Sequence, residues 1–130
     1  MALFWWWPFG KVAEVSAHEL RVWLRRPDAP PQLIDVRTRT EWRAGHIAGA
    51  IHVPIEQLDA RIDALRLDGT RPIVAICRSA HRSIPAVRLL RAHGLSQACQ
   101  LQGGMLAWLH EKLPVVVDGI ERSDGSAPPQ

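Results

Sequence analysis

The sequence predicts an α/β protein with a mostly parallel central sheet and helices on both faces, and three observations predict it. Short β-rich runs alternate with segments of helical period along the chain, the pattern that builds parallel sheets through helical crossovers. The run "IVAIC" carries no charge until Arg78, as expected of a central strand covered on both sides. At 130 residues there is room for one sizeable core and not comfortably for two.

Each element has its own signal. Ser16 followed by Glu19 is a capping-box spacing, and Val15, Leu20, Trp23 and Leu24 supply an apolar face, so a helix is expected from Ala17 to Arg26, stopped by Pro27. "QLIDVR" (Gln32 to Arg37) reads as a strand whose last residues carry charge. Thr38 and Glu41 repeat the capping box before a short helix through Ala44, which Gly45 can close. "AIHVP" is a short strand ended by Pro54; then Ile55, Leu58, Ile62 and Leu65 recur at helical spacing. After the "IVAIC" strand a helix runs from Arg82 to His93 with Pro85 in its first turn, where a missing N–H costs little. "QACQL" is another short strand, "GG" a turn and Met105 to Lys112 a last helix, and there are no internal repeats. The expected organisation is a Trp-rich arm over residues 1–14, a domain over 15–118 and a polar, flexible tail over 119–130.

Composition excludes several classes. The chain is 47% hydrophobic and 22% charged, ordinary for a globular protein and unlike a disordered one. Its formal charge of +3 comes almost wholly from arginine, since Lys11 and Lys112 are the only lysines; guanidinium forks suit small oxyanions. The arginines are scattered, so no nucleic-acid partner is expected. Two cysteines, Cys77 and Cys99, make no disulfide framework and point to a reducing, cytoplasmic setting. The six histidines show no paired metal spacing, and neither a metal nor a cofactor is expected. "MALFWWWPFG" lacks the basic start and cleavage site of a signal peptide. It reads as an arm that packs on its own domain or a partner; weak peripheral membrane or protein contact through Trp5, Trp6 and Trp7 is the alternative.

The chemistry concentrates in "AICRSAHRS". Sites in open α/β sheets form at the carboxyl ends of strands, where the next helix presents free N–H groups and a positive dipole end. Cys77 stands at such a place, and the anion stabilised there is its thiolate, the nucleophilic form of cysteine. Arg78 and Arg82 act in the same sense, and small Ser79 and Ala80 let the backbone curl its amides around the sulfur as an anion nest. The structural alternative is a buried strand-end cysteine before a solvated basic turn. A loop with two arginines and no large apolar side chain weighs against it. Cys99, between Ala98 and Gln100 with no cation near it in sequence, reads as structural.

Arg82 is the fifth residue after Cys77, one fewer than in the Cys-x5-Arg loop that holds phosphate in cysteine phosphatases, so the nest should take something smaller, such as a second sulfur atom. The sequence resembles the single-domain rhodanese-like sulfurtransferase family. "LIDVRTRTEWRAGHIAGAIHVP" looks like the family's first signature, "ICRSAHRS" its active loop and "LQGGMLAW" its closing Gly-Gly and Trp, three ordered motifs spanning Leu33 to Trp108. The resemblance implies transfer of a sulfane sulfur from thiosulfate or a similar anionic donor to cyanide or a thiol, including a protein thiol, through a Cys77 persulfide. It assigns donor binding to Arg78 and Arg82, and persulfide amides chiefly to Ser79, Ala80, His81 and Ser83. The chain departs from the family where Ala80 replaces a frequent glycine and His81 a small polar residue, which touches specificity rather than catalysis.

Outside the loop, Asp35 is expected to support it by accepting hydrogen bonds from its backbone. Arg37 and Glu41 read as a structural ion pair, His46 and His52 as structural imidazoles, and Gly103-Gly104 as a tight turn. Two other functions compete. One is a persulfide relay or binding module serving a protein partner. The other is a phosphatase or arsenate reductase, disfavoured by the loop length and by Ile76 before the cysteine.

Overall fold

A computed structural model describes residues 12–118 and 120–122. The tryptophans of the arm and nearly all of the tail lie outside the described residues. In chain order the elements are β1 (Glu14–Val15), α1 (Ala17–Leu24), β2 (Gln32–Asp35), α2 (Arg39–Ala44), β3 (Ile51–His52), α3 (Ile55–Leu65), β4 (Ile73–Ile76), α4 (Ser83–Ala92), β5 (Ala98–Leu101), α5 (Gly104–His110), β6 (Val115–Val117) and β7 (Ile120–Arg122). The first five strands form one parallel sheet in the order β1-β5-β4-β2-β3, and β6 and β7 form an antiparallel hairpin.

β4 is the middle strand, and its alternating side chains serve two cores. Ile73, Ala75 and Cys77 face Leu58 and Ile62 of α3 with Val87 and Leu90 of α4. Val74 and Ile76 face Leu20 of α1 with Met105 and Trp108 of α5. Burial on both sides explains the uncharged run, and it leaves the carboxyl end of β4 as the exit to solvent.

Both capping boxes form, with Ser16 and Thr38 accepting from the amides of Glu19 and Glu41 while those carboxylates reach back. α1 stops at Leu24, short of the expected Arg26, as the residue before Pro27 is disfavoured in helical geometry. β2 stops at Asp35 because the amide of Arg37 turns back to bond Oδ1 of Asp35 at 3.1 Å. Two features escape the sequence pattern. β1 is two residues long, and "VVV" joins a hairpin that also bridges His46 to Val116. Val12, before 15–118, is buried, and Ile120–Arg122, after it, pairs with β6. Among the described residues no helix is long and apolar enough to cross a membrane.

Candidate active site

Cys77 follows β4 directly and is 1% exposed. The chain must reverse from strand to helix within Arg78–Arg82, and it does so through Ala80, whose φ of +79° lies in the left-handed region. An L-residue costs about 1–2 kcal/mol there, which is why glycine suits this position. Ala80→Gly is accordingly expected to raise stability by about 0.5–1 kcal/mol, read as a higher urea midpoint. Ser79 Oγ lies 3.0 Å from His81 Nδ1, tying the two sides of the turn. Arg78 and His81 are exposed and Ser79 and Ala80 half-buried, so these four form the rim. The backbone N–H groups from Arg78 to Ile84 bond no protein acceptor among the described residues, and α4 begins at Ser83 without a side-chain cap. The turn that follows Cys77 thus carries backbone donors with no protein acceptor among the described residues, the kind of group that can bind an anion.

The loop is held from below by α5. The amides of Met105 and Leu106 donate to the carbonyls of Cys77 and Arg78 at 2.8 and 3.0 Å. Gly104 makes this possible: its φ is +59°, and a Cβ there would lie 2.6 Å from the Arg78 carbonyl oxygen and closer still to that of Cys77. The Gly-Gly pair is therefore more than a tight turn; Gly104 is the seat of the loop that follows Cys77.

The charged groups pair differently from expectation. Arg37 and Glu41 form no side-chain ion pair, since Arg37 donates only to the Glu41 backbone carbonyl, at 3.2 Å. Its guanidinium instead clasps Asp35, with Nε at 2.9 Å from Oδ1 and Nη2 at 2.7 Å from Oδ2, and also reaches the Gly45 carbonyl. Asp35 is fully buried, and its carboxylate accepts from Arg37 rather than from the loop backbone.

Arg82 forms the fork-to-fork pair, at 2.7 Å to each carboxylate oxygen of Glu41. Sequence separation of 41 residues hid it. The Arg82 hydrogen bonds hold the Glu41 carboxyl down at about 2, against an ordinary 4.5, and Glu41 in turn raises Arg82. A depressed carboxyl contributes stability that is present above about 4.5 and lost as pH falls toward about 2. The pair is partly exposed, so its worth is about 1 kcal/mol. Glu41→Gln should lower the urea midpoint at neutral pH, and the gap to wild type should narrow between pH 4.5 and 2.

Ser83 is fully buried, and its hydroxyl sits 3.4 Å from Cys77 Sγ and 2.6 Å from Gln100 Oε1. Gln100 Nε2 in turn donates to Glu14 at 2.9 Å. Neither Gln100 nor Glu14 was legible as a site residue; a glutamine in the apolar run beside the central strand was the only signal. Cys99 is 7% exposed, and burial pushes its thiol up to about 12. It does have a cation near it, Arg91 of α4, which lowers the thiol less than burial raises it. His46 and His52 stack on Trp42 with ring centroids 3.4 and 4.9 Å away and bond the carbonyls of Trp42 and Arg37. His52 thus links α2 to β3, while His46 packs on α2 itself. A cavity of about 1030 Å³ opens beside the loop, with Ser79, Ala80 and His81 on its wall. Among the described residues no group of His, Cys, Asp or Glu could hold a metal ion.

Known proteins resemble this chain in sequence and in fold. The rhodanese-like domain family matches residues 16–111. A sulfurtransferase of Allochromatium vinosum is 34% identical over 65% of this chain and 77% of its own length. An HTH-type transcriptional regulator of Mycobacterium tuberculosis is 43% identical over 70% of this chain, which spans only 40% of that protein. The crystal structure of a rhodanese-related protein from Thermoplasma volcanium is 29% identical, with a TM-score of 0.72 over 82% of this chain and 99% of that one. The chain spans less than two thirds of the first curated relatives that it matches.

Proposed function

The chain belongs to the rhodanese-like domain family, and from that premise we propose that it is a sulfurtransferase that carries a sulfane sulfur on Cys77. The observation that carries this reading is the position of Cys77 at the carboxyl end of the central strand, at the start of a short loop whose amides have no protein partner among the described residues. Arg78, the exposed cation beside it, meets the anionic donor. The Cys77 thiolate attacks the outer sulfur of thiosulfate; the S–S bond breaks and its electron pair leaves with sulfite. The new terminal sulfur carries the negative charge that the loop amides bind. An acceptor, cyanide or a thiolate, then attacks that sulfur, and the electron pair of the disulfide bond returns to Cys77. Splitting one transfer into two displacements is a ping-pong scheme. The setting is cytoplasmic, where both cysteines, free in the structure, stay reduced.

A second reading has support in the relatives. The domain also occurs within a longer protein named as a transcriptional regulator, a context suited to a persulfide relay or binding module that serves a protein partner. Intact-mass spectra after thiosulfate treatment test both. A one-sulfur adduct on wild type and Cys99→Ser, absent from Cys77→Ser, is expected. Turnover with cyanide in addition supports the enzyme, and an adduct discharged only by a protein thiol supports the relay. A wild-type protein that takes up no sulfur overturns thiosulfate as donor.

A further inference from the structure

We propose that the Ser83 hydroxyl is a two-way hydrogen-bond switch at Cys77, held in its resting sense by Gln100 and Glu14. The switch rests on the reading of Cys77 as the nucleophile, and the hydrogen directions are fixed from the far end of the chain of contacts. A carboxylate only accepts, so the atom of Gln100 that faces Glu14 Oε2 at 2.9 Å is the amide nitrogen. The other end of that amide, the carbonyl oxygen, must then face Ser83. A carbonyl also only accepts, so the single hydrogen of the Ser83 hydroxyl goes to Gln100 Oε1, at 2.6 Å. What Ser83 presents to Cys77 Sγ, 3.4 Å away, is a lone pair. In this sense the contact is S–H to oxygen, and it suits the protonated thiol.

The working form of the cysteine has the opposite need. Once the thiol proton has passed to water at the loop mouth, the sulfur can only accept, and a lone pair facing it is repulsive. Rotation of the hydroxyl about its C–O bond moves the hydrogen from Gln100 to the sulfur. A neutral hydrogen bond is exchanged for a charge-assisted one. Ser83 is the donor that rotates, whereas Gln100 and Glu14 are positioning residues that bias it toward rest. The switch is buried, with Ser83 fully buried and Gln100 4% exposed, so water cannot take over either bond.

The arrangement makes an unusual prediction about direction. Removing Ser83 should weaken the nucleophile, and removing either residue behind it should strengthen it. The readout is the rate of Cys77 alkylation by iodoacetamide near neutral pH, with no sulfur donor present. A protein that never accepts sulfur from thiosulfate would still report the ordering, so failure here is distinct from failure of the proposed transfer. Ser83→Ala is expected to react about tenfold more slowly, having lost its bond to the ionised sulfur. Gln100→Leu is expected to react about fivefold faster, because the hydroxyl no longer has to leave a carbonyl. Glu14→Ala, at an exposed position that folding tolerates, frees the Gln100 amide to turn and should also react faster. Rates at or below wild type for Gln100→Leu and Glu14→Ala, or a wild-type rate for Ser83→Ala, would overturn the switch. A purely structural role for these residues lowers all three rates or none.

Discussion

Cys77→Ser is expected to lower sulfur transfer from thiosulfate to cyanide by about 10³-fold or more while leaving the folded protein intact. The substitution replaces one atom at a fully enclosed position, and a serine oxygen there can still contact Ser83 Oγ, so the loop has no reason to rearrange. What disappears is an ionisable, polarisable nucleophile; a hydroxyl is not ionised at neutral pH and forms no persulfide. The second cysteine cannot substitute. Cys99 is buried in the opposite core with its thiol pushed up to about 12, so near neutral pH almost none of it is thiolate. Iodoacetamide should therefore modify one cysteine in the native protein, and Cys99→Ser should transfer sulfur at close to the wild-type rate. Initial rates of thiocyanate formation, with mass spectra of the alkylated protein, check both statements. Activity within tenfold of wild type in Cys77→Ser would remove the nucleophile from the mechanism.

What could be read from the sequence follows the range of the interactions involved. Capping boxes at Ser16–Glu19 and Thr38–Glu41 are three residues wide, and both formed where spacing placed them. The uncharged run ending in Cys77 identified the middle strand because burial on two faces leaves no polar position. The pairing of charges was misread because the four-residue spacing of Arg37 and Glu41 was taken as a pair, although Arg37 lies before α2 and its guanidinium turns back onto Asp35, two residues earlier. Glu41 turns toward the loop, where Arg82 arrives from a different element. The expectation that Asp35 bonds the loop failed for the same reason, since a buried carboxylate takes the guanidinium beside it first. Gln100 and Glu14 lie on β5 and β1, and only the parallel register of the sheet brings them into line with Ser83. The departure at Ala80 was visible as a residue, but its consequence, a left-handed backbone under strain, is set by the tertiary path of the turn.

Gly104→Ala is expected to destabilise the protein by about 3 kcal/mol or more and to abolish sulfur transfer even in molecules that remain folded. Several glycines here have positive φ, and comparing them separates two costs. Gly49 (φ +83°) and Gly94 (φ +87°) have nothing within 4 Å of an added Cβ, so alanine at either carries only the left-handed strain of about 1–2 kcal/mol. Gly104 has the same strain, but its added carbon would meet the carbonyl oxygens of Cys77 and Arg78, which are backbone atoms and cannot swing aside. Relief requires α5 to move away from the loop. That movement stretches the bonds from the Met105 and Leu106 amides, the two that fix the carbonyls flanking the Cys77–Arg78 peptide. The backbone on either side of Arg78 would then shift relative to Cys77, which is where the effect on transfer arises. Urea midpoints for Gly49→Ala, Gly94→Ala and Gly104→Ala, taken with their transfer rates, test the separation. The first two should lose stability and keep activity; Gly104→Ala should lose more stability and nearly all activity. Equal losses of stability in the three, with activity retained at Gly104→Ala, would show that α5 does not seat the loop.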